Sequence, residues 1–282
     1  MKDISLCNNV PGPIGIFDSG YGGLTIYREI QELLPQYNYL YLGDNARTPY
    51  GTRSFDVVYE FTRQCVKYLF SQGCHLVILA CNTASAKALR SIQQVDLPAI
   101  SLQKRVLGII RPTVETIGDV TRSRHVGVLA TEGTIKSNSY PLEIHKLFPD
   151  IVVTGEACPM WVPLVETSEH KSPGADYFIK RHVDNLLSRD SQIDTIILGC
   201  THYPMLIEKI KQYVPQGVRV LTQGAAVAAS LKDYLARHPE MDALCAKDGR
   251  RVFCTTESDS RFCEQASRFL EQQIDVMHVT LD

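Results

Sequence analysis

The chain has 282 residues with 29 basic and 31 acidic side chains, no run of like charges and no basic stripe, so nucleic acid is not expected among its partners. No apolar run is long enough to span a bilayer and residues 1–7 carry no signal-like apolar core, which predicts a cytoplasmic protein with no membrane partner. Nine cysteines without CxxC or CxxxC spacing point to neither a disulfide framework nor a zinc finger, and the length suits two α/β domains that each bury a core.

In chain order, residues 14–17 read as a short apolar strand and Asp18-Ser19-Gly20-Tyr21-Gly22-Gly23 as a glycine-rich turn. Leu24, Ile26, Tyr27, Ile30, Leu33 and Leu34 then recur at helical spacing. The glycines lack the GxGxxG spacing of a dinucleotide site, so Asp18 and Ser19 are either helix caps or members of a functional loop. A second strand at 39–42 runs into the long polar loop 43–54. There Tyr50 offers a hydroxyl and Gly51 a backbone N–H to a small ligand, unless the loop is only a structured surface turn. A helical pattern over 57–70 leads to an apolar run at 76–80, which stops at Cys81, Asn82 and Thr83.

Residues 96–112 read as a crossing into a second domain. The stretch 126–134 then repeats the pattern of 14–21, with Gly127 in the place of Gly15, 112 residues further on. A second apolar run at 195–198 ends in Gly199, Cys200, Thr201 and His202, and Cys200 follows Cys81 by 119 residues. Two landmarks in the same order at nearly the same offset indicate one fold used twice. The expected class is α/β, with two similar doubly wound parallel-sheet domains facing each other across a central cleft. One spans 1–105 and is completed by the tail 224–282, which shows a helix at 225–236 and a strand at 251–254; the other spans 106–223.

Open α/β sheets bind ligands beyond the carboxyl ends of their strands. Either cysteine alone reads as a buried strand-end residue, but both at matching places in a repeated fold would stand on opposite walls of one cleft. Such a pair suits removal of a proton from one face of a chiral carbon and return of a proton to the other, with one cysteine a thiolate and its counterpart a thiol. A free thiol is mostly protonated at neutral pH and needs tuning, for which His202, two residues beyond Cys200, is within reach. Cys7, Cys65, Cys74, Cys158, Cys245, Cys254 and Cys263 read as small hydrophobes.

Six motifs then stand out: Gly15 to Leu24, Gly43 to Gly51, Ala80-Cys81-Asn82-Thr83-Ala84, Thr131-Glu132-Gly133-Thr134-Ile135, Ala157 to Glu166, and Gly199-Cys200-Thr201-His202-Tyr203-Pro204. In this order, over nearly the whole chain, they resemble the cofactor-independent glutamate racemases of bacteria, within the aspartate/glutamate racemase superfamily. The resemblance implies interconversion of L- and D-glutamate without pyridoxal phosphate or metal, a supply of D-glutamate for peptidoglycan and so for cell-wall biogenesis and cell shape, and a homodimer. It implies Cys81 as the base toward the D-enantiomer and Cys200 toward the L-enantiomer, with Asp18 assisting Cys81, and Glu166 and His202 assisting Cys200. Substrate contacts are implied for Asp18, Ser19, Tyr50, Gly51, Asn82, Thr83, Thr201 and His202. Without the resemblance, Glu166 reads as a solvated face residue, and His202 as readily a cap as a catalyst.

Two stretches depart from the family pattern. Residues 100–108 look longer than its usual crossing, and Leu221-Thr222-Gln223-Gly224 stands where relatives commonly carry an acidic residue followed by a small one. Three other readings remain open at this level. The same chemistry could act on aspartate or another small acidic substrate. The fold could serve a binding or regulatory protein, against which the two intact cysteines count. A dithiol redox or metal role for Cys81, Cys200 and His202 would rest on three ligands and no carboxylate.

Overall fold

The computed structural model describes residues 10–270 and 272–281, so Cys7 and the N-terminal stretch 1–7 lie outside the described residues. Three strands, β1 (Ile14–Asp18), β2 (Tyr39–Gly43) and β3 (Leu76–Leu79), are buried along their whole length, as befits runs that are apolar on both faces. They lie within a six-stranded sheet of order β10-β9-β2-β1-β3-β4, in which every pair is parallel; β4 is Arg105–Gly108, β9 is Arg251–Thr255 and β10 is Val276–His278. A second parallel sheet of four strands has the order β6-β5-β7-β8, with β5 at His125–Ala130, β6 at Val152–Ala157, β7 at Thr195–Gly199 and β8 at Arg219–Leu221.

The order β2-β1-β3-β4 in the first sheet is reproduced by β6-β5-β7-β8 in the second. The repeat read from the sequence is therefore a repeat of topology. Gly15 and Gly127 occupy the corresponding strands β1 and β5, while Cys81 and Cys200 lie just past the ends of the corresponding strands β3 and β7.

The stretch expected as a crossing holds more than a connection. After the short helix Leu97–Ile100, β4 pairs with β3 in the register Leu76↔Arg105 through Leu79↔Gly108. A domain boundary placed after Arg105 would cut this edge strand. The tail returns to the first sheet, where β9 pairs with β2, and the helix Gly224–Arg237 packs on the helix Leu24–Leu33. Their approach is so close that a Cβ on Gly224 would lie 2.5 Å from Cγ of Glu29.

The helices follow from their apolar spacing. Leu24–Leu33 turns Leu24, Ile26, Tyr27 and Ile30 inward. Phe55–Ser71 buries Val58, Val66 and Leu69 and is capped by Ser54, whose Oγ accepts from the Val57 N–H at 3.4 Å. Among the described residues no helix is long and apolar enough to cross a membrane.

Candidate active site

The residues that follow β1, β3, β5 and β7 meet at one cavity of about 120 Å³, lined from the first sheet by Ser19, Cys81, Asn82 and Thr83 and from the second by Thr131, Glu132, Cys200, Thr201 and His202. The loop Thr48 to Thr52 and residues Cys158, Pro159, Val162 and Pro163 complete the wall. Strand ends of both sheets thus converge on a space of small-molecule size.

Cys81 is the N-cap of the helix Asn82–Lys87, and its Sγ accepts from the Ala84 N–H at 3.5 Å. Ser19 Oγ lies 3.3 Å from the same sulfur. Burial pushes the Cys81 thiol up to about 12, and Asp18 adds to the rise while Ser19 and the Ala84 N–H oppose it. Asp18 does not line the cavity. It lies fully buried behind it, accepting from the Gly20 N–H at 2.8 Å and from Thr201 Oγ1 at 3.4 Å. Burial raises its carboxyl above the ordinary range against the opposing pull of His202 and the N–H groups of Gly20 and Gly23.

The other wall is built differently. After Cys200 the chain makes a 3₁₀ turn, Tyr203–Leu206, before the helix Ile207–Tyr213, so the second cysteine is not followed directly by an α-helix as the first is. Its sulfur lies 3.9 Å from His202 Nδ1, and His202 Nε2 lies 3.1 Å from Glu166 Oε1. Burial alone would favour a neutral imidazole, but Cys200 and Glu166 together outweigh it and raise the His202 pKa well above its ordinary value. Glu166 stands behind His202, outside the cavity lining, and the Phe269 ring meets the imidazole edge to face at 6.2 Å.

Tyr50 lines the cavity, but its hydroxyl is turned away from the role the loop suggested. It donates to Asp44, a fully buried carboxylate that also takes Arg47 Nε at 2.7 Å and Thr256 Oγ1 at 2.8 Å. A buried carboxylate gathers such donors, which leaves the ring and backbone of Tyr50 to face a ligand. Gly51 touches the second half: its carbonyl accepts from the Gly133 N–H at 2.8 Å. Thr83 Oγ1 and Thr131 Oγ1 lie 3.0 Å apart across the same junction.

Sequence reasoning did not single out Thr131 and Glu132 as site residues. The repeat carried the signal, because they follow β5 as Ser19 follows β1. Cys158, read as a small hydrophobe, is buried and also lines the cavity, with burial pushing its thiol well up. Among the described residues no group of three or more His, Cys, Asp or Glu side chains is arranged to hold a metal ion.

The profile of the Asp/Glu/hydantoin racemase family matches residues 14–231. The chain belongs to this family. It is similar to a glutamate racemase of Roseobacter denitrificans, 39% identical over 272 residues that cover 93% of this chain and 98% of the relative. Among solved structures it resembles a glutamate racemase from Bacillus anthracis, with a TM-score of 0.87 and 35% identity over 96% of this chain and 98% of that one. A glutamate racemase from Francisella tularensis, solved in complex with D-glutamate, superposes with a TM-score of 0.83 and 32% identity, covering 98% of this chain and 99% of that one. Each of these matches runs over nearly the whole of both chains.

Proposed function

We propose that the chain is a glutamate racemase that moves protons with Cys81 and Cys200. The observation that carries the reading is the placement of both thiols at equivalent strand ends of a repeated sheet, lining one cavity. The racemase names of the relatives, and the D-glutamate held by the Francisella protein, supply the substrate.

In the L-to-D direction the Cys200 thiolate takes the Cα proton and becomes a thiol, while the Cys81 thiol gives its proton to the opposite face and becomes a thiolate. The reverse direction exchanges the roles, so atoms and charge balance in both. His202, its pKa held up by Cys200 and Glu166, is the group placed to counter a thiolate 3.9 Å away, and Glu166 holds the ring in line. On the other wall burial keeps Cys81 protonated, ready to give, with Asp18 as its acid–base assistant. Ser19, the backbone of Tyr50 and Gly51, Asn82, Thr83, Thr201 and His202 are the proposed substrate contacts. Donors fixed around a carbanion, shielded from water, lower the barrier to a weakly acidic C–H bond. The proposal includes two domains, a cytoplasmic homodimer and a product used in peptidoglycan synthesis.

The test is incubation with L-glutamate, and separately L-aspartate, in D₂O. Early D-glutamate should carry deuterium at Cα while the remaining L-glutamate is still protiated, the signature of two bases. Cys81→Ser and Cys200→Ser should each cut racemisation by at least about 10²-fold, since an alcohol is a far weaker base at neutral pH. If either variant keeps near wild-type turnover, or if neither amino acid exchanges or racemises, the reading is wrong.

A further inference from the structure

Asn82 lines the cavity directly after Cys81, and its side chain is held by two residues that do not line it. Its Nδ2 donates to Gln223 Oε1 at 2.6 Å, and its Oδ1 accepts from the Tyr140 hydroxyl at 2.8 Å. Gln223 Nε2 in turn donates to the Tyr140 oxygen at 2.9 Å and to Thr113 Oγ1 at 3.1 Å, so three side chains close a ring. Asn82, Gln223 and Tyr140 are each 2% exposed, so water does not compete for these bonds.

The direction of every bond in the ring is fixed by one backbone carbonyl. Ile109 O can only accept, and it takes Thr113 Oγ1 at 3.0 Å and Gln223 Nε2 at 3.4 Å. Thr113 has spent its single hydroxyl proton there and offers Gln223 only a lone pair. Gln223 must therefore turn its NH₂ toward Ile109, Thr113 and Tyr140, and its carbonyl toward Asn82. Asn82 must answer with an N–H, and its own carbonyl must face the Tyr140 O–H. One N–H of Asn82 stays outside the ring. Turned over by half a rotation, the same amide would present an oxygen to an anionic substrate and repel it.

We propose that Gln223 and Tyr140 are positioning residues that lock the Asn82 amide with its second N–H toward the substrate. The proposal rests on the racemase reading and on Asn82 as a substrate contact. The three elements come from far apart in the chain: Gln223 precedes the helix Gly224–Arg237, Tyr140 sits on Ser139–Leu147, and Asn82 opens Asn82–Lys87. The lock therefore also registers the two halves of the molecule against each other at the site.

KM and kcat for both enantiomers are to be measured for the wild type, Tyr140→Phe, Gln223→Glu, Asn82→Ala and the two double variants with Asn82→Ala. Melting curves confirm that each is folded. Tyr140→Phe removes the hydroxyl that fixes Asn82 Oδ1, and Gln223→Glu replaces the N–H donor facing Tyr140 with an acceptor, which draws the Tyr140 O–H away from Asn82 Oδ1. Each should raise KM about tenfold with a smaller effect on kcat, because a contact to a charged ligand is lost. In the Asn82→Ala background neither change should raise KM further, since they act through Asn82. Unchanged KM in the single variants, or costs that add in full to that of Asn82→Ala, would overturn the proposal while leaving the racemase reading intact. A wild-type KM in Asn82→Ala removes the contact on which the proposal depends and overturns it too. A wild type that does not racemise refutes the functional reading itself. Should Gln223→Glu not fold, Tyr140→Phe, which keeps the buried ring, decides alone.

Discussion

Asp18 is a carboxyl with no exposed surface, and burial opposes its ionised form more strongly than His202 and two backbone N–H groups favour it. Its folded pKa lies above the 3.8 of an unfolded aspartate. The stabilisation that comes from holding its proton is complete below that value and is lost as pH rises through the folded pKa. Above that point the molecule holds an ionised group that it would be more stable without, in order to have an acid–base group behind Cys81. Asp18→Asn stays neutral at every pH, keeps an oxygen for the Gly20 N–H and turns an NH₂ toward Thr201 Oγ1. Its thermal midpoint should match the wild type at low pH and exceed it by a few degrees as pH rises, while racemase activity falls. Scanning calorimetry across that range checks the sign; a variant less stable than the wild type at alkaline pH would show that ionised Asp18 is better compensated than its burial implies.

At the scale of elements, the site depends on how closely the turn after β1 approaches the turn after β7. A Cβ on Gly22 would lie 2.4 Å from both His202 Nδ1 and Thr201 Oγ1, contacts no side chain tolerates without movement. Gly22→Ala should push His202 away from Cys200 and lower kcat/KM by about 10²-fold, the cost of misplacing a reacting group by roughly an ångström. A variant that retains wild-type kcat/KM would mean that the two turns yield without disturbing the chemistry.

The same contrast explains what was legible in the sequence. β1, β3, β5 and β7 are continuous apolar runs ending in small and polar residues, and the repeat of their pattern by itself pairs Cys81 with Cys200. β4 is harder to read because it is a short, half-buried edge strand that begins with an exposed arginine, and its Val106-Leu107 pair runs on through Gly108 and Ile109 into the helix Ile110–Glu115 with no polar residue to end it. The turn of the Tyr50 hydroxyl depends on Asp44, whose burial follows from its place beyond β2 and its bond to Arg47. The ring around Asn82 joins residues 82, 140 and 223, which no local pattern connects.

Over the whole molecule, each sheet packs one face into a cluster of its own, around Phe17, Leu42 and Leu79 in the first half and Val126, Val128 and Ile197 in the second, but the two share a third. One continuous apolar cluster contains Ile14 and Ile16 of β1, Tyr27 and Ile30 of the helix above them, Val227 and Leu231 of the returning tail, and Trp161, Ile196 and Leu198 of the second half. Gly133 N–H to Gly51 O and the Thr83–Thr131 pair add polar links across the junction. Chains of this length with two sheets commonly unfold in steps, but a shared core ties the stability of each half to the other. Trp161 is the single tryptophan, fully buried beside the Tyr203 ring at 4.8 Å, and its fluorescence reports on the second half alone. Far-UV circular dichroism reports on both. In urea the two signals should change at one midpoint, and saturating glutamate should move both by the same amount, because a ligand held between the halves stabilises the joined state by mass action. Loss of the Trp161 signal at distinctly lower urea than the loss of ellipticity would show that the second half opens alone, and that the cluster joining the halves is weaker than its burial suggests.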